Sequence, residues 1–135
     1  VPLDGSAVAT RAVALARAVV RAQRRPLHLI GVVAVGDEQQ GAALIAHLDV
    51  MATALRNDGI DAVVETRRGD PAAEIVAATR DGDLVVMTTH GASGGQRWRV
   101  GQVAEHLLRR CPAPVLLVRG DFAAPGDAAR PRADA

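Results

Sequence analysis

Five short apolar runs alternate with stretches of helical periodicity along this 135-residue chain, and that alternation restricts the fold more than any other feature. The runs are Val1–Leu3, Leu27–Val35, Ile60–Thr66, Leu84–Met87 and Val115–Val118. They are short, aliphatic and mostly β-branched, as strands are when helices cover both faces of a parallel sheet. Helices are expected over Ala7–Gln23 and Ala42–Asn57, from Pro71 to Asp81-Gly82, and from Gly101 onward. Short connections between such units imply right-handed crossovers and an α/β fold, a doubly wound five-stranded parallel sheet. Ligands of such sheets bind outside the carboxyl ends of the strands, where the strand order reverses. For the order 3-2-1-4-5 that point lies between the first and fourth strands.

One stretch, Asp83 to Val103, carries the strongest functional signal. Its apolar run stops at Thr88-Thr89-His90 and passes into Gly91-Ala92-Ser93-Gly94-Gly95. Glycine there permits close backbone approach or a positive φ. Beyond Gly101, the spacing of Val103, Ala104, Leu107 and Leu108 marks one face of a helix. Strand, glycine-rich turn and helix N-terminus together can bind an anion through unpaired N–H groups and the helix dipole. A plain connection in an α/β domain has the same pattern. Asp4, at the end of the first strand, would face the same crevice, although its spacing to Ser6 by itself favours helix capping.

Local signals complete the chain. In the first helix Val8, Ala12, Leu15 and Val19 mark the expected buried stripe, and Arg24-Arg25-Pro26 ends it. His28 is the one polar residue inside the second strand, where a satisfied core or edge group is expected. Gly36-Asp37-Glu38 closes that strand, Asn57-Asp58-Gly59 stops the second helix, and His47 falls on its exposed side. Arg67-Arg68-Gly69 reads as a turn, and Asp70-Pro71 as an N-cap followed by proline in the first helical turn. The first strand has only three residues and no initiator Met, so residues upstream of Val1 are expected. Residues 120–135, rich in Ala, Pro, Asp and Arg without period, read as a disordered tail.

Composition removes several functions. A formal net charge of +1 gives no electrostatic case for nucleic acid. All 16 basic residues are arginine, which excludes a P-loop lysine and a lysine Schiff base. One cysteine cannot form an internal disulfide and fits a reducing compartment. No apolar run is long enough to span a bilayer as a helix. The four histidines and single cysteine lack metal-ligand spacing. Asp4, Ser6, His90 and Ser93 can be assembled on paper into a catalytic group, but no G-x-S-x-G nucleophile elbow is present. His90 fits a phosphate donor or a packing residue, and Arg97, Trp98 and Arg99 fit a phosphate or partner contact or a surface lid.

Val1-Pro2-Leu3-Asp4-Gly5-Ser6 resembles the opening VPxDGS of universal stress protein domains. The central stretch resembles their signature G-x2-G-x9-G-[ST], with Thr88 and Gln102 standing at its first and last positions and Gly91 and Gly101 matching it between. Val103-Ala104-Glu105 and the closing Cys111–Arg119 are also similar, so the resemblance runs through residues 1–119. It implies the 3-2-1-4-5 order and a cytoplasmic, ATP-binding stress-response module that takes Mg or Mn as metal. Its alternative is a dimerisation or interaction module without nucleotide, including the regulatory domain of a membrane transporter. The implied nucleotide residues are Asp4, Val32, Met87, Thr88, His90, Gly91, Gly101, Gln102 and Val103. Thr88 adds a Cβ where glycine is usual, and Gln102 replaces a short hydroxyl. The resemblance further implies a homodimer through the fifth strand, no direct insertion in a membrane, and at most slow ATP hydrolysis.

Overall fold

The computed structural model describes residues 1–89 and 100–121. Its elements are β1 (Pro2–Leu3), α1 (Ala7–Gln23), β2 (Leu27–Val33), α2 (Glu38–Asn57), β3 (Ala62–Arg68), α3 (Pro71–Ala78), β4 (Val85–Thr88), α4 (Gln102–Arg110) and β5 (Val115–Val118). All paired strands are parallel. One ladder joins β1, β2 and β3, and a second joins β4 and β5. β4 lies beside β1, where Val86 packs into the same cluster as Val1 and Leu3. The two ladders and this contact agree with the order 3-2-1-4-5.

Helices cover both faces, and the alternation of side chains along each strand separates the core into two layers. Leu29 and Val33 of β2 join Leu44, Leu48, Ala52 and Leu55 of α2 and Ala9, Ala12, Val13 and Ala16 of α1. On the other face Val85 and Met87 of β4 pack with Ile75 of α3 and Ala104 and Leu107 of α4, and Val32 lies against them. Leu29, Leu48 and Leu107 are fully buried. Each such leucine contributes about 1.5–3 kcal/mol through the water it leaves.

Several expectations are corrected. The buried stripe of α1 is Ala9, Ala12, Val13 and Ala16, one residue round from the expected one, with Val8, Leu15 and Val19 half-buried beside it. β2 stops at Val33, because Gly36 turns the chain with φ +91° and leaves Val35 85% exposed. α2 starts at Glu38, four residues early, because the Asp37 carboxylate accepts from Gln40 N at 3.2 Å and caps it. Gly41 lies inside that helix, pressed on β2: a Cβ there would stand 2.7 Å from Val33 Cγ1. Arg67 and Arg68 belong to β3, in register with Val32 and Val33, instead of forming a turn. α3 ends at Ala78, where the Thr79 hydroxyl donates to the Ile75 carbonyl at 2.8 Å. His28 is exposed and His47 half-buried.

At the amino ends of the strands, β1 supplies two residues where β2 supplies seven. A cavity of about 210 Å³ lies at this end, bordered by Val1, Val20, Leu27, His28, Asp83 and Val85. The Val1 amino group donates to the His28 carbonyl at 2.7 Å across its upper end. Burial pushes that amine down to about 5, partly opposed by Asp83.

Candidate functional site

The opposite end of the sheet holds the residues the sequence singled out. Asp4 follows β1 and is exposed; its Oδ1 accepts from Ser6 N at 2.9 Å across Gly5, whose φ is +84°. Ser6 is the true N-cap, its hydroxyl oxygen accepting from Ala9 N at 3.1 Å. Asp4 therefore shapes the turn, and Ser6 alone caps the helix. Of the roles weighed for Asp4, helix capping therefore falls to Ser6.

β4 ends at Thr88, which is 6% exposed and the one buried polar residue among those described. Strand alternation puts its side chain on the Val86 face, toward α1. Thr89 continues the ladder, its N–H donating to the Val118 carbonyl at 3.0 Å. The Thr89 carbonyl then accepts from Gly101 N at 2.8 Å. That single bond fastens the end of β4 to the start of α4. A Cβ on Gly101 would come within 3.3 Å of the same carbonyl oxygen, so glycine suits this approach.

Gly101 is the N-cap of α4 and, as glycine, caps it with no side chain. The N–H groups of the first helical turn have no acceptor within a helix, and the dipole makes that end positive. In α4 these belong to Gln102, Val103 and Ala104, while Glu105 N already returns to the Gly101 carbonyl at 2.9 Å. Gln102 is exposed, and Val103 is half-buried against the Met87 cluster. Such a helix end is chemically an anion site.

The other candidates divide clearly. Met87 is buried in the core with Ile75, Ala104 and Leu107, which leaves only its backbone for a ligand. Val32 is half-buried on the same face, next to the carboxyl end of β2. Met87, Val103 and Val32 thus meet around one apolar cluster, and Thr89 and Gly101 meet through their backbone. His90 and Gly91, with Ser93, Arg97, Trp98 and Arg99, lie outside the described residues, as does the tail from Phe122. Among the described residues, no three His, Cys, Asp or Glu gather as a metal site.

Sequence reasoning missed two features at this end. One is the Thr89–Gly101 backbone bond, which leaves no mark in side-chain types. The other is a charged cluster of Glu65, Arg67 and Glu74 beside Val32. Its signal was legible: Glu65 and Arg67 are two apart on one strand face, and Glu74 sits in the first turn of α3.

Comparison with known proteins follows the same lines. The family model described as the universal stress protein family matches residues 1–119. Universal stress protein MJ0531 of Methanocaldococcus jannaschii is 40% identical over 63 residues, which are 45% of this chain and 37% of that protein. The chain thus matches little more than a third of the curated relative's length. Among solved structures, universal stress protein UspA from Lactobacillus plantarum superposes with a TM-score of 0.70 at 21% identity, over 88% of this chain and 94% of its own. A universal stress protein in complex with cAMP superposes with a TM-score of 0.71 at 25% identity, over 89% and 94%.

Proposed function

Since this chain belongs to the universal stress protein family, we propose that it is a regulatory domain that binds an adenine nucleotide between the carboxyl ends of β1 and β4. The observation that carries the reading is the junction of β4 with α4. The Gly101–Thr89 bond sets the bare N-terminus of α4 at the end of the sheet where ligands of open α/β folds bind. Phosphate would be held by the first-turn N–H groups of Gln102 and Val103, with Asp4 exposed across the crevice. The nucleotide-bound relative, a universal stress protein in complex with cAMP, supports the same ligand class. A cation such as Mg or Mn would arrive on the nucleotide phosphates, since the described side chains form no cluster for one.

The reading includes a homodimer through β5. Val85 N–H takes the Pro114 carbonyl and Thr89 N–H takes the Val118 carbonyl, so even-numbered residues of β5 turn their backbone groups to β4. Those of Val115 and Leu117 consequently face the open edge, and a bare apolar edge invites a second strand. Among the described residues no helix is long and apolar enough to cross a membrane.

Thermal unfolding with ligand tests the nucleotide reading. A ligand at about 100 times its dissociation constant adds roughly 2.7 kcal/mol to the folded state. Millimolar Mg-ATP should therefore raise the melting temperature by several degrees, and adenosine by less. A protein that ignores both, and from which mass spectrometry releases no nucleotide, is an interaction module instead.

A further inference from the structure

The charged cluster at the carboxyl end of β3 has a geometry that the phosphate site does not use. Arg67 donates from Nε to Glu65 Oε1 at 2.7 Å and from Nη1 to Glu74 Oε2 at 3.0 Å. Strand and helix thus grip one guanidinium from two sides, with its side chain 30% exposed. Among the described residues its Nη2 has no acceptor. Arg67 stands opposite Val32 in the ladder, one residue before the pair Val33–Arg68 that ends it. Adjacent strands lie about 4.8 Å apart, and an arginine side chain easily spans that gap.

The charge of the cluster decides what Nη2 can receive. Two carboxylates around one guanidinium leave a net negative charge, which repels phosphate. A neutral acceptor, such as a ring nitrogen or a carbonyl of a heterocycle, meets no such repulsion. The donor is also held in place before any ligand arrives, because both carboxylates fix its plane. Resting on the nucleotide reading above, we infer that Arg67 is a specificity residue for the base: clamped by Glu65 and Glu74, it gives an Nη2–H to a neutral acceptor on the heterocycle. The phosphates and the base are then read by separate parts of the sheet end, the first by α4 and the second by the β2–β3 flank.

Titration calorimetry with adenosine, ATP and inorganic tripolyphosphate tests this assignment. The variant is Arg67→Met with Glu74→Gln, which removes the donor while keeping the net charge of the cluster. Adenosine and ATP should each weaken roughly ten- to a hundredfold, the value of one hydrogen bond to a charged group, with tripolyphosphate unchanged. Unchanged adenosine affinity overturns the inference, and so does an equal loss for all three ligands, which marks a merely structural cluster. If the double variant does not fold, Arg67→Lys serves, since one ammonium cannot satisfy two carboxylates and a third acceptor in one plane. Wild type that binds tripolyphosphate but not adenosine overturns base reading while leaving the anion site. Wild type that binds none of the three overturns the nucleotide reading and this inference with it.

Discussion

Gly31 is the residue whose replacement tests the packing behind the candidate site most directly. It lies in β2 next to Val32, paired with Leu3 on one side and Thr66 on the other, so the strand has no room to retreat. α2 crosses directly over it. An added Cβ would stand 2.6 Å from Leu48 Cδ1, and 3.1 and 3.2 Å from Leu44 Cδ2 and Cγ. Carbon atoms rest at about 3.5–4.0 Å, so Leu48 must move by roughly 1 Å, and it is completely buried. Overpacking of this kind costs about 1–3 kcal/mol, offset in part by about 0.4–1 kcal/mol from stiffening the unfolded chain. Gly31→Ala should therefore destabilise by up to about 2.6 kcal/mol. Leu48→Ala should cost about 2–5 kcal/mol by leaving a cavity beside Gly31. In that background the new methyl has space, and Gly31→Ala should become neutral or stabilising. Urea unfolding followed by far-ultraviolet circular dichroism measures all four corners of this cycle, and a coupling of about 1–3 kcal/mol is expected. Equal effects of Gly31→Ala in the two backgrounds would refute the argument that Leu48 sets the spacing of helix and strand.

Three further outcomes follow from the structure. Gln102→Ser restores a short hydroxyl at the first turn of α4 and should tighten ATP by about 0.5–3 kcal/mol in calorimetry; no change would remove position 102 from the phosphate site. Val115→Pro deletes an N–H on the open edge of β5, so sedimentation at tens of micromolar should show a wild-type dimer and a monomeric variant. In a polypeptide beginning at Val1, the amine is neutral in the fold down to pH about 5 and protonates in the unfolded chain below about 8. The unfolded state thus binds more protons between these values, so stability is full above pH 8 and falls by about 4 kcal/mol on the way to pH 5. Acetylation of Val1 should remove that slope, and an unaltered slope would assign it to other groups.

Much of this fold could be read from the sequence because its information is local. Ser6, Asp70 and Pro71 mark helix starts by their own chemistry, and α1 and β5 keep the expected boundaries. Errors arose where a tertiary contact overrules a local habit. The second helix is expected from Ala42, yet it already includes Gly41, whose missing side chain lets α2 lie against Val33. The expected stripe of α1 holds at Ala12 but not at Val8, Leu15 and Val19; Ala9, Val13 and Ala16 are buried instead, because the helix packs close. Arg67 looked like part of a turn because its carboxylate partner Glu74 comes from the next helix. At the site, Asp4 and Gly101 were legible as residue types at the end of a strand and the start of a helix. The backbone bond between Thr89 and Gly101 was not, since every residue carries those two groups.

That bond also bears on how a domain of this kind can change its ligand. Gly101 N and the Thr89 carbonyl oxygen are held 2.8 Å apart. The bond joins two elements that are far apart along the chain, and closing such a distance costs an entropy that grows only slowly with length, about 0.6 kcal/mol per doubling. The end of β4 and the start of α4 are therefore fixed to each other by backbone alone, so side-chain changes at Thr89 or Gln102 leave that tether in place.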